Sequence, residues 1–131
     1  MIAIDTSALI AVINHEPERQ EFLLVLANEE RRLISAVSLL ETRMVVYGRL
    51  GLAGIERLGT WLSAMPLEVI PFDEAQVAAA YAAFTIYGKG FNPNSRLNFC
   101  DCVAYALAKT FNVPLLFKGN DFLATDVSPV A

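Results

Sequence analysis

The chain has 131 residues, 55% of them hydrophobic, and a formal net charge of −4 from 14 acids and 10 bases. This length suits one domain that buries its own core, and the acidic balance argues against a broad basic surface for nucleic acid. The longest uncharged apolar stretch, about 77–87, is shorter than the ~18 to 20 residues of a membrane span. A mean hydropathy of +0.44 predicts that some surface is buried against a partner.

The first half of the chain alternates short apolar runs with stretches of helical periodicity. In chain order we predict a strand at 2–4, a helix from 8 to about 14, a helix from 16 to about 28, a strand at 32–35 and a helix from 39 to about 50. Gly51 is expected to end this last helix, because glycine commonly follows the final helical turn.

The second half continues the alternation. We predict a helix at 54–65, a strand at 67–71, a helix from 73 to about 87, a Gly/Pro/Asn loop to 95, a helix from 98 to about 111 and a strand at 115–117. A short fifth strand is expected near Val127. Alternation of this kind predicts an α/β fold with a parallel sheet of four to five short strands, covered on both faces, in a single domain over 1–131.

Four acids stand at the ends of otherwise apolar segments. Asp5 follows the first strand and Asp121 follows the fourth, whereas Glu41 and Asp101 fall in the first turns of predicted helices. Ligands of parallel sheets bind beyond the carboxyl ends of the strands, so the four acids are expected to converge on one edge. Without them, ten acids balance ten bases in the rest of the chain.

Carboxylates crowded in apolar surroundings repel one another unless protons or cations neutralise them. The pattern therefore predicts a divalent metal site, with hydrolysis of phosphodiesters as its use. Local structure offers an alternative for each acid: a cap at Asp5, capping boxes at Ser38–Glu41 and Asn98–Asp101, and a turn at Asn120–Asp121. Capping alone does not account for four acids at one edge.

Four segments form an ordered set that is more specific than any one of them. They are Met1–Leu9 (MIAIDTSAL), Ser35–Glu41 (SAVSLLE), Leu97–Ala104 (LNFCDCVA) and Leu115–Phe122 (LLFKGNDF), the last followed by Thr125–Val127 (TDV). Their order, spacing and flanks resemble the PIN-domain ribonucleases of the VapC toxin type across essentially the whole chain. The resemblance implies a three-layer α/β/α PIN-like sandwich and Mg²⁺-dependent endoribonuclease activity, with Mn²⁺ as a substitute. It also implies a VapB-type antitoxin partner and a homodimer.

Carried over by position, Asp5, Glu41 and Asp101 match the three core acids of that family, which act as catalytic residues and metal ligands. Two acids follow strand four, Asp121 and Asp126. We favour Asp121 as the fourth acid because it lies closer to the end of the strand.

Polar residues beside the acids are candidates for substrate binding. Thr6 and Ser7 resemble the hydroxyl residues after the first acid, placed to hold a water or a phosphate oxygen, and Asn98 is expected to orient Asp101. Arg96 and Lys118 lie near the acids in sequence and are candidates for the RNA backbone. A solvated or ion-paired surface role is the alternative for each of these two cations.

The two cysteines, Cys100 and Cys102, are two residues apart on a predicted helix, where their side chains diverge. A disulfide between them is therefore not expected, and free thiols predict a reducing, cytoplasmic setting. The amino terminus lacks the basic region of a secretory signal.

A signalling receiver domain is the competing interpretation, because it is also an α/β fold with an acidic Mg²⁺ pocket at the strand ends. In that case Asp73 would be the phosphoacceptor and Lys118 its partner. The interpretation leaves Glu41 and Asp101 unexplained and lacks the acidic pair usual after strand one, where Thr6 follows Asp5. A PIN-like module without catalytic activity is a third possibility.

Overall fold

The computed structural model describes residues 1–130, and within them it has four strands and five helices. In chain order these are β1 (Ile2–Ile4), α1 (Thr6–Ile13), α2 (Arg19–Ala27), β2 (Arg32–Ser35), α3 (Ala36–Ala64), β3 (Glu68–Ile70), α4 (Glu74–Tyr87), α5 (Phe99–Phe111) and β4 (Leu115–Leu116). The four main strands that the sequence pattern predicted are present, and so are the helices, except that the two predicted at 39–50 and 54–65 form the single helix α3.

The four strands form one parallel sheet in the order β3-β2-β1-β4. Ala3 at the centre of β1 pairs with Leu33 of β2 on one side and with Leu115 of β4 on the other. The chain thus moves outward through β2 and β3 and then returns to the opposite side of β1. Such a reversal opens a crevice beyond the carboxyl ends of β1 and β4, which is where ligands of parallel sheets bind.

Alternation along the strands divides the core into two layers, because successive side chains of a strand point to opposite faces. One set packs with α1, α2 and α3: Ile2, Ile4, Ile34 and Leu116. The other set packs with α4 and α5: Ala3, Leu33 and Leu115. All seven are buried. The predicted α/β/α sandwich with a central parallel sheet is therefore confirmed.

Helix α3 differs most from its predicted bounds. It begins at Ala36 rather than near residue 39, because Ser35 caps it by accepting a hydrogen bond from the backbone N–H of Val37 at 3.3 Å. The two helices predicted on either side of Gly51 run together as one kinked segment. Gly51 lies at the kink with φ 66° and ψ −156°, a conformation that side-chain-bearing residues rarely adopt.

The predicted fifth strand is reduced to a single bridge. Leu115 pairs with Pro129, and the backbone N–H of Leu115 donates to the Ser128 carbonyl oxygen at 2.9 Å. Proline has no N–H with which to extend the ladder. Across residues 1–130, none of the helices combines the length and the apolar character that crossing a bilayer requires.

Candidate active site

The four predicted acids line one open cleft of about 400 Å³ at the carboxyl edge of the sheet. Asp5 directly follows β1, and Asp121 lies in the turns after β4. Glu41 projects from the second turn of α3, and Asp101 from the first turn of α5. Side chains from two strand ends and from helices on opposite faces of the sheet thus meet at the switch in strand order.

Asp5 is the most enclosed of these carboxylates, with 6% of the residue exposed. Its Oδ2 accepts a hydrogen bond from the backbone N–H of Ser7 at 3.0 Å, so Asp5 also caps α1. Burial nevertheless raises the pKa of Asp5 to about 6, and repulsion from Glu41 and Asp121 adds to the rise. Asp5 therefore both caps α1 and belongs to the acidic cleft.

Asp101 combines the same two roles. It forms a capping box with Asn98: Asp101 Oδ2 accepts from the Asn98 N–H at 3.0 Å, and Asn98 Oδ1 accepts from the Asp101 N–H at 2.9 Å. Burial raises the pKa of Asp101 to about 6 despite that backbone hydrogen bond, and the charges of Asp5, Asp121 and Glu41 raise it further. The capping box orients the Asp101 carboxylate at the start of α5.

Glu41 is free of the capping box that the sequence allowed. Ser35, and not Ser38, caps α3, and the buried Ser38 hydroxyl has no hydrogen-bond partner among residues 1–130. Glu41 therefore faces the cleft, where its charge also acts on a neighbouring thiol. Burial, together with Glu41, raises the pKa of Cys100 to about 12. Both cysteines are free, as expected.

The two candidates for the fourth acid occupy different surroundings. Asp121 lines the cleft, and its charge raises the pKa of both Asp5 and Asp101. Asp126 accepts a short hydrogen bond from the Tyr105 hydroxyl and pairs with Lys109 Nζ at 3.0 Å. The Tyr105 hydrogen bond is the main reason that the pKa of Asp126 is lowered. Asp126 thus has a structural role that Asp121 lacks.

Thr6 and Ser7 line the cleft, and their hydroxyls are engaged with other elements. Thr6 Oγ1 donates to the Ser38 carbonyl oxygen at 3.0 Å and accepts from Thr42 Oγ1 at 3.3 Å, which ties α1 to α3. Ser7 Oγ accepts a hydrogen bond from the Lys118 backbone N–H at 3.0 Å, which ties α1 to the end of β4. These contacts hold the cleft walls together.

Of the two cations predicted to contact RNA, Lys118 lies at the acidic cleft and Arg96 does not. Lys118 lines the cleft, but its Nζ pairs with Glu16 at 2.6 Å and with Glu18 at 3.1 Å. Arg96 is exposed and lines a separate depression formed by the loop after α4, together with Lys89. The structure therefore brings Lys118, and not Arg96, to the acidic cleft.

Two charged residues of the cleft were missed in the sequence. Glu16 follows α1 and Arg49 lies on α3, and both line the cleft with the four acids. Arg49 stands eight residues after Glu41, and a spacing of four and eight residues keeps side chains on one helix face. That periodicity was the available signal for Arg49, whereas the position of Glu16 depends on the packing of the α1–α2 connection.

The donor chemistry of the cleft fits a hard divalent cation. Its acids offer carboxylate oxygens, and two of them, Asp5 and Asp101, have pKa values raised by burial and by the charges of neighbouring carboxylates. Within residues 1–130, however, no three Asp, Glu, His or Cys side chains lie close enough together to hold a metal ion between them. An open set of acids suits Mg²⁺, which keeps several waters and binds through few carboxylates.

The receiver interpretation is wrong. Asp73 caps α4, accepting a hydrogen bond from the Gln76 N–H at 3.0 Å, and does not line the acidic cleft. Lys118 pairs with Glu16 and Glu18 instead.

Comparisons with known proteins agree with this geometry. The family model of the PIN domain matches residues 2–127. Ribonuclease VapC30 of Mycobacterium tuberculosis is 41% identical over 130 residues, which cover 99% of this chain and 98% of the relative. Ribonuclease VapC of Mycolicibacterium smegmatis is 40% identical over 129 residues, covering 98% of this chain and 99% of the relative.

Among solved structures, Mycobacterium tuberculosis VapC20, described as a sarcin-ricin loop cleaving toxin, superposes with a TM-score of 0.80 at 16% identity. The match covers 99% of this chain and 98% of that one, and it shows the shared fold. Together with the family model and the identity to the two mycobacterial relatives, this establishes the family. The chain belongs to the PIN-domain VapC ribonucleases, the endoribonuclease toxins of type II toxin–antitoxin systems.

Proposed function

We propose that the acidic cleft is the site at which this chain hydrolyses RNA phosphodiester bonds with the aid of Mg²⁺, for which Mn²⁺ can substitute. The observation that carries the proposal is the electrostatic coupling of acids from distant parts of the chain. Burial and the surrounding carboxylates raise the pKa of Asp5 and of Asp101 to about 6. A divalent cation among these oxygens relieves the repulsion that the fold imposes.

Asp5 and Asp101 are the proposed principal metal ligands, because burial raises the pKa of both and the backbone N–H groups of Ser7 and Asn98 orient them by hydrogen bonds. Glu41 and Asp121 complete the catalytic set as further ligands, directly or through water, or by holding the attacking water. When bound, the metal supplies positive charge that acidifies a water and offsets the phosphate charge. The proposed oxygen ligands come from separate elements around an open cleft, so a substrate can enter from the open side.

The polar residues around the acids are proposed to bind substrate. Thr6 and Ser7 form part of the cleft wall and Lys118 stands at its edge, whereas Asn98 acts by orienting Asp101. Arg96 lies with Lys89 on the loop before α5. We assign Arg96 to RNA on the flank of the scissile bond, because the loop leads directly into the segment that carries Asp101.

The proposed partners follow from the family to which the chain belongs. We propose a VapB-type antitoxin, an RNA substrate and a homodimer, in the cytoplasm and away from membranes, with residues 1–131 as one domain. VapBC2 of Rickettsia felis, which has the same fold, has been solved bound to a DNA fragment from its promoter. Exposed apolar side chains available for protein contacts lie on α3 and α4: Leu40, Met44, Tyr47, Leu52, Val77, Tyr81 and Ile86.

An RNA cleavage assay tests the proposal. The wild-type chain is expected to cut sites within total RNA when Mg²⁺ or Mn²⁺ is present and to stop when EDTA is added. Asp5→Asn is expected to abolish cleavage while leaving the circular dichroism spectrum unchanged. Asp73→Asn is the matched control, because asparagine can still cap α4 and the position lies outside the cleft. Cleavage that persists in EDTA or in a folded Asp5→Asn variant would contradict the assignment.

A further inference from the structure

Arg49 occupies the same face of α3 as the catalytic acid of that helix. Glu41, Val45 and Arg49 are spaced by four residues, and all three line the acidic cleft. The cleft therefore continues along α3 from the Glu41 carboxylate to the Arg49 guanidinium.

The other basic residue of the cleft, Lys118, is already engaged in ion pairs. Lys118 Nζ pairs with Glu16 at 2.6 Å and with Glu18 at 3.1 Å. Hydrogen bonding to Glu16 is also the main reason that the pKa of Lys118 is raised. In contrast, Arg49 forms no ion pair with any residue of the described chain, 1–130. Arg49 adds to the lowering of the Glu16 pKa as a nearby charge, but without an ion pair, so its guanidinium remains available to a ligand.

Arg49 is exposed, but the stem of its side chain has apolar neighbours. Besides the cleft, Arg49 lines a narrow crevice between α1 and α3 with Ile10, Ile13 and Val46, which are all buried. Arginine commonly packs its methylene groups on such surfaces and leaves the guanidinium in water. A side chain held in this way loses less conformational freedom when its head group binds a ligand.

A phosphodiester that enters this cleft meets a strongly acidic wall. The cleft contributes five carboxylates, from Asp5, Glu16, Glu41, Asp101 and Asp121. Outside the cleft nine acids stand against eight bases, so the chain has no overall positive charge that would draw RNA toward the site. A local cation that can form two parallel hydrogen bonds to phosphate oxygens meets this need, and arginine has that geometry.

We propose that Arg49 is a substrate-binding residue that binds an RNA phosphate next to the scissile bond. The inference rests on the proposed function of the acidic cleft and names a residue that the sequence did not suggest. Arg49 contributes binding rather than chemistry, since it stands two helical turns from Glu41 on the cleft wall.

The test compares Arg49→Ala and Arg49→Lys with a control on the same helix. Arg43→Ala is that control, because Arg43 is exposed and does not line the cleft. With an RNA that the wild-type chain cleaves, Arg49→Ala is expected to raise KM roughly 10- to 100-fold and to change kcat far less. Arg49→Lys is expected to recover part of the loss, because lysine keeps the charge without the planar fork.

A second measurement reads binding without turnover. A fluorescein-labelled single-stranded RNA of mixed sequence is titrated with full-length Asp5→Asn protein in Mg²⁺, with and without Arg49→Ala. Loss of one phosphate contact is expected to reduce the slope of log Kd against log salt concentration by about 0.7. A merely structural role of Arg49 would leave this slope unchanged.

The outcomes separate the two proposals. A wild-type chain that cleaves RNA, together with an Arg49→Ala variant of unchanged KM and salt dependence, overturns the inference about Arg49 alone. A wild-type chain that cleaves no RNA with either metal overturns the proposed function. In that case the titration of the labelled RNA, read by fluorescence anisotropy, still decides whether Arg49 binds RNA. An unchanged Kd in the variant that carries Arg49→Ala overturns the inference as well.

Discussion

The Ser7 hydroxyl accepts a hydrogen bond from the backbone N–H of Lys118 at 3.0 Å and so joins the residues that follow β1 and β4. Ser7 also donates its own backbone N–H to Asp5 at 3.0 Å. One residue therefore holds both a cleft acid and the start of the segment that carries Asp121. The relative position of these two carboxylates depends on this bridge.

Ser7→Ala is expected to lower both stability and activity by a modest amount. Loss of the hydrogen bond to the Lys118 N–H should cost about 1 kcal/mol in the free energy of unfolding, measured in urea. The looser Asp121 segment should reduce kcat roughly 10-fold. Ser63→Ala is the matched control, since the Ser63 hydroxyl contacts only a carbonyl of its own exposed helix turn. Equal kcat in the two variants would show that the bridge does not position the site.

Asp121→Asn and Asp126→Asn are expected to have opposite consequences. Asp121→Asn should reduce RNA cleavage on the order of 100-fold and leave thermal stability unchanged or slightly higher, because it removes a repelling charge from the cleft. Asp126→Asn should lose about 1 kcal/mol of stability, because Tyr105 and Lys109 lose a charged partner, and should still cleave RNA. The reverse pattern, in cleavage assays and thermal melts, would make Asp126 the fourth acid.

The stability of the metal-free protein should fall as the pH rises from about 4.5 to 6.5. The pKa values of Asp5 and Asp101 are about 6 in the folded chain, against 3.8 as the ordinary value, so the folded state binds more protons in this range. Ionising these carboxyls therefore costs folding free energy, on the order of 2 kcal/mol for Asp5 and less for the more exposed Asp101, where solvent screens the charge. Urea denaturation in EDTA measures the effect.

The control for this pH dependence is the Asp5→Asn/Asp101→Asn double variant, which should show a much flatter curve over the same range. Depressed carboxyls such as Glu16 and Asp126 act in the opposite direction at lower pH, where their protonation removes stability. A wild-type curve that rises through this range would refute the raised pKa values.

Mg²⁺ should stabilise the folded chain near pH 7 and have little effect near pH 4.5. At neutral pH the cleft carboxylates are ionised and available to a cation, whereas at the lower pH Asp5 and Asp101 are protonated. Thermal melts with and without millimolar Mg²⁺ at the two pH values measure this. Glu56→Gln, a change at an exposed acid outside the cleft, should keep the full effect, and Asp101→Asn should reduce it. Equal shifts in both variants would place the metal elsewhere.

Local sequence patterns were sufficient for most of the fold. The apolar run Ile2–Ile4, the cap at Asp73 and the loop before Asn98 each determine an element through interactions of neighbouring residues. The start of α3 was less predictable because Ser35 and Ser38 are both good caps, and the choice depends on where β2 ends in the sheet. Helix ends are decided by such competition more often than helix centres.

The sequence by itself determined that four acids stand at the ends of apolar segments and that the segments alternate between strand and helix. Only the tertiary structure decided which other charges join them. Arg49 and Glu16 enter the cleft because α1 and α3 pack on the same face of the sheet, and Lys118 is neutralised by two glutamates far away in the chain. The reason is physical: periodicity along the chain reports which face a side chain occupies, whereas ion pairs and burial depend on contacts between elements that no local pattern encodes.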